Sequence, residues 1–422
     1  MPTEIELLRS LDPEPPAPST IDISRAIAAG RKRRRRQGAG YAGVAAVTAL
    51  VVAGVAVAVS ASGTNRKATP VAGPTHSGSP SAPASAKPKG TFTIPGTPGW
   101  TAPAATPPTS CAIEKLAVPD KVKMALISGA DPTGHYLVGR SYPKDGYQAV
   151  IWHDGTPTKV NLPGDLEESL GDVNSAGTAV GWSYTDTDGI TGPVPYAYAS
   201  GKVVKLKGVA RGSANAVNDA GAIAGDDGSH AIVWPSPTAT AIKLPTPEGT
   251  DNAAAVAIDE DGTVVGNLDL KVPFAWFADG TSQALPLPTY QGKKVPSARV
   301  FAIRNGWAIG VADRVATAQP GAGSAKDLLP VTWNLRTGRA QITGDWEMSA
   351  EDVNAQGWQI GISKGRAALV AGGHKVALPE LSHHEAGQLT NIPNAISDDG
   401  RLIAGQSDDA GGTIHAVVWR CR

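Results

Sequence analysis

Beyond residue 110, apolar residues come in short bursts broken by polar turns that carry glycine. Bursts of this length and turn spacing predict β-strands rather than helices. One phrase recurs: a small residue, Val or Ile, a polar turn with Gly, then an apolar stretch ending in a second Gly. The copies are DVNSAGTAVG from Asp172, AVNDAGAIAG from Ala216, AIDEDGTVVG from Ala257, AIRNGWAIG from Ala302, DVNAQGWQIG from Asp352 and AISDDGRLIAG from Ala395. A looser copy, GADPTGHYLVG, starts at Gly129. The closing glycines, Gly139, Gly181, Gly225, Gly266, Gly310, Gly361 and Gly405, are spaced 42, 44, 41, 44, 51 and 44 residues apart. A period of roughly 40–45 residues is that of one four-stranded propeller blade.

The copy from Asp172 shows the predicted order. Asp172 to Asn174 is a short inner strand, followed by a turn in which Gly177 takes positive φ. Thr178 to Ser183, Pro195 to Ala199 and Val203 to Leu206 are the next three strands. The third strand carries an aromatic at Trp152, Tyr198, Trp234, Trp276, Trp333 and Trp419, with Val370 at the sixth position. Large rings suit the wedge between blades, which widens away from the axis. Inner strands begin with Gly129, Ala216, Ala257, Ala302 or Ala395, as crowding at the axis requires, while Asp172 and Asp352 are expected to face a wet channel.

The pattern resembles the extracellular HAF-repeat family, whose blades read Ala-Ile-Asn, Gly, Val-Gly, then Ala-Phe-x-Trp, then a Leu-ending strand. The resemblance covers about residues 112–421. It implies an all-β, seven-bladed β-propeller and says little about function. Val370 and the longer fifth repeat depart from the family's pattern.

The seventh copy ends at Ala416–Arg422 after its third strand. Cys111–Leu116 reads like a fourth strand, so the first strand of the domain is expected to complete the last blade. By equivalence with the first blade, Cys421 falls near the place of Asp154 and Cys111 near that of Pro157. Those are facing positions on one hairpin, which predicts a disulfide. A reactive or metal-binding thiol pair lacks a neighbouring His or third Cys.

The preceding third is unlike the repeats. Residues 31–36 are RKRRRR, and 37–65 carry no charge. From Ala39 to Val59 run 21 mostly apolar residues, which reach about 30 Å as a helix. The run exceeds the roughly 7–15 residues of a signal-peptide core, which favours an anchor over cleavage near Ala56, Ala58, Ser60 and Ala61. Residues 1–37 then form a cytoplasmic basic tail, 38–62 a transmembrane signal anchor, 63–110 a Pro/Ser/Thr/Ala-rich extracellular stalk and 111–422 the propeller. The chain is therefore expected in the cell membrane as a single-pass protein with its propeller outside, or secreted if the span is cleaved. Residues 1–40 hold 8 basic and 5 acidic side chains, a balance of +3. Since the whole chain is neutral and 41–60 is uncharged, the rest stands at −3, which argues against nucleic acid as a partner.

Connections differ in length between copies. The long ones are 183–195, 311–330 and 406–415 between second and third strands, and 164–169, 286–298 and 379–394 between blades. In a propeller both kinds lie on one face, the usual binding face. Candidate ligand-binding residues there are Tyr184, Asp186, Asp188, Tyr290, Lys293, Arg314, His383, His384 and Glu385. No catalytic motif stands out, His383-His384-Glu385 lacks metal-ligand spacing, and the Asp-rich turns at 259–262 and 397–400 read as hairpins, so no metal and no cofactor is expected. The expected function is a binding or sensing module for a cell-wall glycan or envelope protein, with the bilayer as partner of 38–62. Alternatives are a glycan lyase or hydrolase, and a transmembrane regulator whose residues 1–30 bind a cytoplasmic sigma-type factor.

Overall fold

The repeats form seven four-stranded antiparallel sheets in the computed structural model, which describes residues 101–422 except 145, 165–166, 185–191, 317–326, 348 and 385–389. Inner strands are Ala125–Ala130, Glu168–Val173, Ser213–Val217, Ala253–Ile258, Ser297–Arg304, Ala350–Val353 and Asn391–Ile396. Each leads outward through two further strands to an outer strand, and neighbouring sheets touch around a β-propeller. We number the blades 1 to 7 in that order. Blade 7 takes its outer strand, Cys111–Lys115, from the start of the domain.

This closure is antiparallel, with Cys111 directly opposite Cys421 and the two joined as a disulfide. Ile113, rather than Cys111, pairs with Trp419 and holds the place that Pro157 holds beside Trp152. Cys421 thus lies two residues past Trp419, as Asp154 does past Trp152, and Cys111 two residues before the place that counting gives it.

Every inner strand carries a bulge at the same point. The skipped residues are Ser128, Gly171, Asn215, Val256, Phe301, Glu351 and Asn394. The bulge presses backbone against the second strand, and this explains the closing glycines. A Cβ on Gly310 would lie 1.9 Å from the Arg299 carbonyl oxygen, and one on Gly139 2.1 Å from that of Leu126. Gly361 is the exception: there the crowding comes from the Trp346 ring.

The third-strand tryptophans pack between blades and also tie them. Trp152 Nε1 donates to Ala117 O, Trp234 to Lys207, Trp276 to Pro245, Trp333 to Pro286 and Trp419 to Pro379. Each acceptor lies just after the outer strand of the preceding blade. Blade 6 has Val370 at this position, and Trp346, from the connection between blades 5 and 6, packs into the same cluster. A displaced aromatic therefore replaces the missing one.

The fold reaches upstream of Cys111. Gln356 Nε2 donates to Pro103 O at 2.7 Å, Ala105 packs against the core cluster of blades 6 and 7, and Pro107 rests on Gly372. The tail 1–37, the span 38–62 and residues 63–100 lie outside the described residues. Among the described residues no helix is long and apolar enough to cross a membrane.

Candidate functional site

The inner-strand turns meet at the axis on the face of short turns. In most blades the third residue of the phrase reaches the next blade. Asn174 Nδ2 donates to Asn218 O, Asn218 to Asp259 O and Asn354 to Ser397 O, at 2.9, 3.1 and 3.0 Å. Asp259 inverts the polarity and accepts the Asn305 and Gly306 N–H groups. The Asp-rich turn at 259–262 is thus spent on joining blades 4 and 5.

Blade 5 departs from this scheme. Its turn, Arg304-Asn305-Gly306, is one residue shorter than Asp259-Glu260-Asp261-Gly262. Asn305 takes over the bond to the next blade, donating to Ala355 O at 2.8 Å. Arg304 is released toward the axis, where Nη1 meets Glu260 at 2.5 Å and Nη2 meets Asp398 at 2.5 Å. One guanidinium therefore braces blades 4, 5 and 7. Burial alone would lower its pKa, but the Asp398 and Glu260 carboxylates outweigh that and hold it firmly charged.

Three more carboxylates stand beside the brace. Asp172 accepts the Val217 N–H and Asp352 the Ile396 N–H, each in the next blade. Burial pushes both up to about 7, and pushes Glu351, aided by the Asp352 charge, up to about 8. All three keep some accessible surface although protein surrounds them, as expected for groups lining a narrow wet channel. The channel placement expected for Asp172 and Asp352 agrees with this, while Arg304 and Glu351 went unnoticed in the sequence.

The opposite face carries the long connections. Three buried or half-buried arginines are fixed there by carboxylates: Arg140 by Glu167, Arg299 by Asp313 and Arg366 by Glu380. The Arg140 guanidinium also lies over the rings of Tyr142 and Tyr147, at 5.4 and 5.5 Å from their centroids. Glu168 accepts the Ala149 and Leu162 N–H groups and so pins the connection from blade 1 to blade 2.

The candidate residues divide into separate groups on this face. Tyr184 is half-buried, edge-on to Trp182, with Glu167 nearby. Tyr290 and Lys293 lie on a small hairpin, Thr289–Tyr290 with Lys293–Lys294, that folds the connection between blades 4 and 5. Tyr290 packs on the core and sits beside Arg314, which pairs with Asp327 at 2.8 Å. His383 and His384 lie between blades 6 and 7. Arg366 Nη2 donates to His384 O at 3.0 Å, and His384 Nδ1 is buried with no hydrogen-bond partner among the described residues, 3.7 Å from Glu380. Burial pushes Asp408, close to His384, up to about 6. Asp186, Asp188 and Glu385 lie outside the described residues. Among the described residues no three His, Cys, Asp or Glu side chains are placed to hold a metal ion.

No protein-family model matches the chain, and no curated protein matches it. Among solved structures it is similar to one described as the extracellular domain of a one-component system, BT4673, from B. thetaiotaomicron. That match has 9% identity and a TM-score of 0.46, over 73% of this chain and 39% of that one. The chain thus spans about two-fifths of that protein's length. It is also similar to a structure described as TolB from Agrobacterium tumefaciens, at 11% identity and a TM-score of 0.39, over 75% of this chain and 99% of that one. The propeller assignment rests on the sheet topology itself.

Proposed function

We propose that the chain is a membrane-anchored extracellular propeller of the HAF-repeat kind that binds an envelope ligand, a cell-wall glycan or a protein, on its long-connection face. The observation that carries this reading is the division of labour between the two faces. Short turns, the Arg304 brace and the segment 103–109 occupy one face with interactions that hold the ring together. The other face presents connections of unequal length, fixed at their bases by Arg140, Arg299 and Arg366. Rigid supports under variable loops are the usual construction of a binding surface. Aromatic and cationic groups there, Tyr184, Tyr147 and Arg314, suit stacking and hydrogen bonding to sugars or to a polar protein surface.

The test is sedimentation of the purified full-length chain with isolated cell wall and with envelope extract. Retention by one fraction is expected, reduced several-fold by Tyr184→Ala with Arg314→Ala. No retention by either fraction overturns the reading.

A further inference from the structure

The segment ahead of Cys111 behaves as a bound peptide. Residues 102–108 belong to no strand or helix, yet four of the seven are buried or half-buried. Ala102, Ala105 and Pro107 are half-buried and Pro108 is buried, whereas Pro103, Ala104 and Thr106 are exposed. Proline-rich chains favour the extended polyproline II conformation before they bind anything. The contacts are those of a polyproline groove. Trp358 belongs to the cluster against which Ala105 packs, and its ring borders Gly400 together with Pro108. Gly372 leaves the floor open, since a Cβ there would come within 2.5 Å of Pro107 Cγ, and Gly400 makes room for the Trp358 ring beside Pro108. Gln356 Nε2 donates to a peptide carbonyl, that of Pro103, at 2.7 Å. An aromatic wall, small floor residues and a side-chain donor to the peptide backbone are how folded domains recognise extended proline-rich ligands.

We propose that the short-turn face of blades 6 and 7 is a receptor groove for proline-rich polypeptide, filled in cis by residues 102–108 of this same chain. The covalent link at Cys111 keeps the segment at an effective concentration on the order of millimolar, so a groove of modest affinity stays occupied. The groove lies opposite the face proposed above for envelope ligands and stands independently of that reading.

The test uses the full-length chain with the segment lifted by Pro108→Asp or, sparing the buried proline, by Ala105→Lys. A fluorescent peptide with the sequence of residues 101–110 is titrated into wild type and both variants, and its anisotropy is followed. The lifted variants are expected to bind it at least tenfold more tightly than wild type. Gln356→Ala in the lifted background, or Pro108→Asp in the peptide, is expected to weaken uptake several-fold. If both variants keep the disulfide and a cooperative melting transition but bind the peptide no better than wild type, the proposal is overturned. Equal, strong uptake by wild type and variants overturns occupancy in cis.

Discussion

A single residue, Arg304, decides the character of the axis. It is the one charged cation that the inner turns send to the centre among the described residues, and it separates Glu260 from Asp398. Arg304→Met leaves two buried carboxylates facing each other and is expected to cost about 3–5 kcal/mol, read as a lowered denaturation midpoint. The neighbouring acids give the ring a pH dependence whose sign follows from linkage. Asp172, Asp352 and Glu351 have folded-state pKa values raised to about 7, 7 and 8 by burial. Between the ordinary carboxylate range and those values the folded chain holds more protons than the unfolded one, so stability falls as pH rises. Chemical denaturation is expected to show greater stability at pH 5 than at pH 8, by on the order of 1–2 kcal/mol once channel water is allowed for. Glu351→Gln is expected to flatten that slope; an unchanged slope refutes the assignment. Asp172 and Asp352 were legible from their place in the phrase. Arg304 was not, because its signal is a turn one residue short, which matters only once the turns are known to converge.

At the scale of the element, the blade is built from two kinds of repeated residue with different reasons. The closing glycines answer a bulge that the sequence does not announce, since bulged and regular inner strands have the same apolar pattern. The tryptophans announced themselves, and their role between blades holds, with a hydrogen bond added to the packing. Blade 6 shows where one-dimensional reading stops. Val370 looks like a defect in the repeat, yet Trp346 packs into the same cluster from a connection with no periodicity of its own. Restoring the repeat with Val370→Trp is therefore expected to destabilise the chain, by about 1–3 kcal/mol through overpacking. A raised melting temperature for that variant shows that the space is vacant after all. The three arginine–carboxylate pairs beneath the long connections were also invisible in the sequence, because their partners lie in different segments that only the fold brings together.

For the whole molecule, the blade number, the closing strand and the cysteine pair were all readable from spacing and from the missing fourth strand of the seventh copy. The loop spanned by the disulfide has a sequence separation of 310 residues. Replacing both cysteines by serine is expected to lower stability by about 2–5 kcal/mol while leaving the strand pairing intact, measured by denaturation of oxidised wild type beside the variant. The segment 102–108 escaped notice because its composition is that of a solvated linker; only the groove that receives it gives it a structural role.

The position of the bridge has a mechanical consequence. Cys111 is the first residue of the closing strand, and its partner Cys421 belongs to the strand beside it. Tension applied through the chain ahead of the propeller first meets the segment 103–110, hydrogen-bonded to Gln356 and Arg422, and then that bond, before it reaches the ladder of the closing strand. With the bond intact, force passes covalently into blade 7, and the hydrogen bonds behind it carry no peeling load. Once it is reduced, the same pull opens the hairpin one rung at a time, as a zip parts from its end. The ring can therefore hang from its own amino-terminal lead under load, provided that the seam stays oxidised.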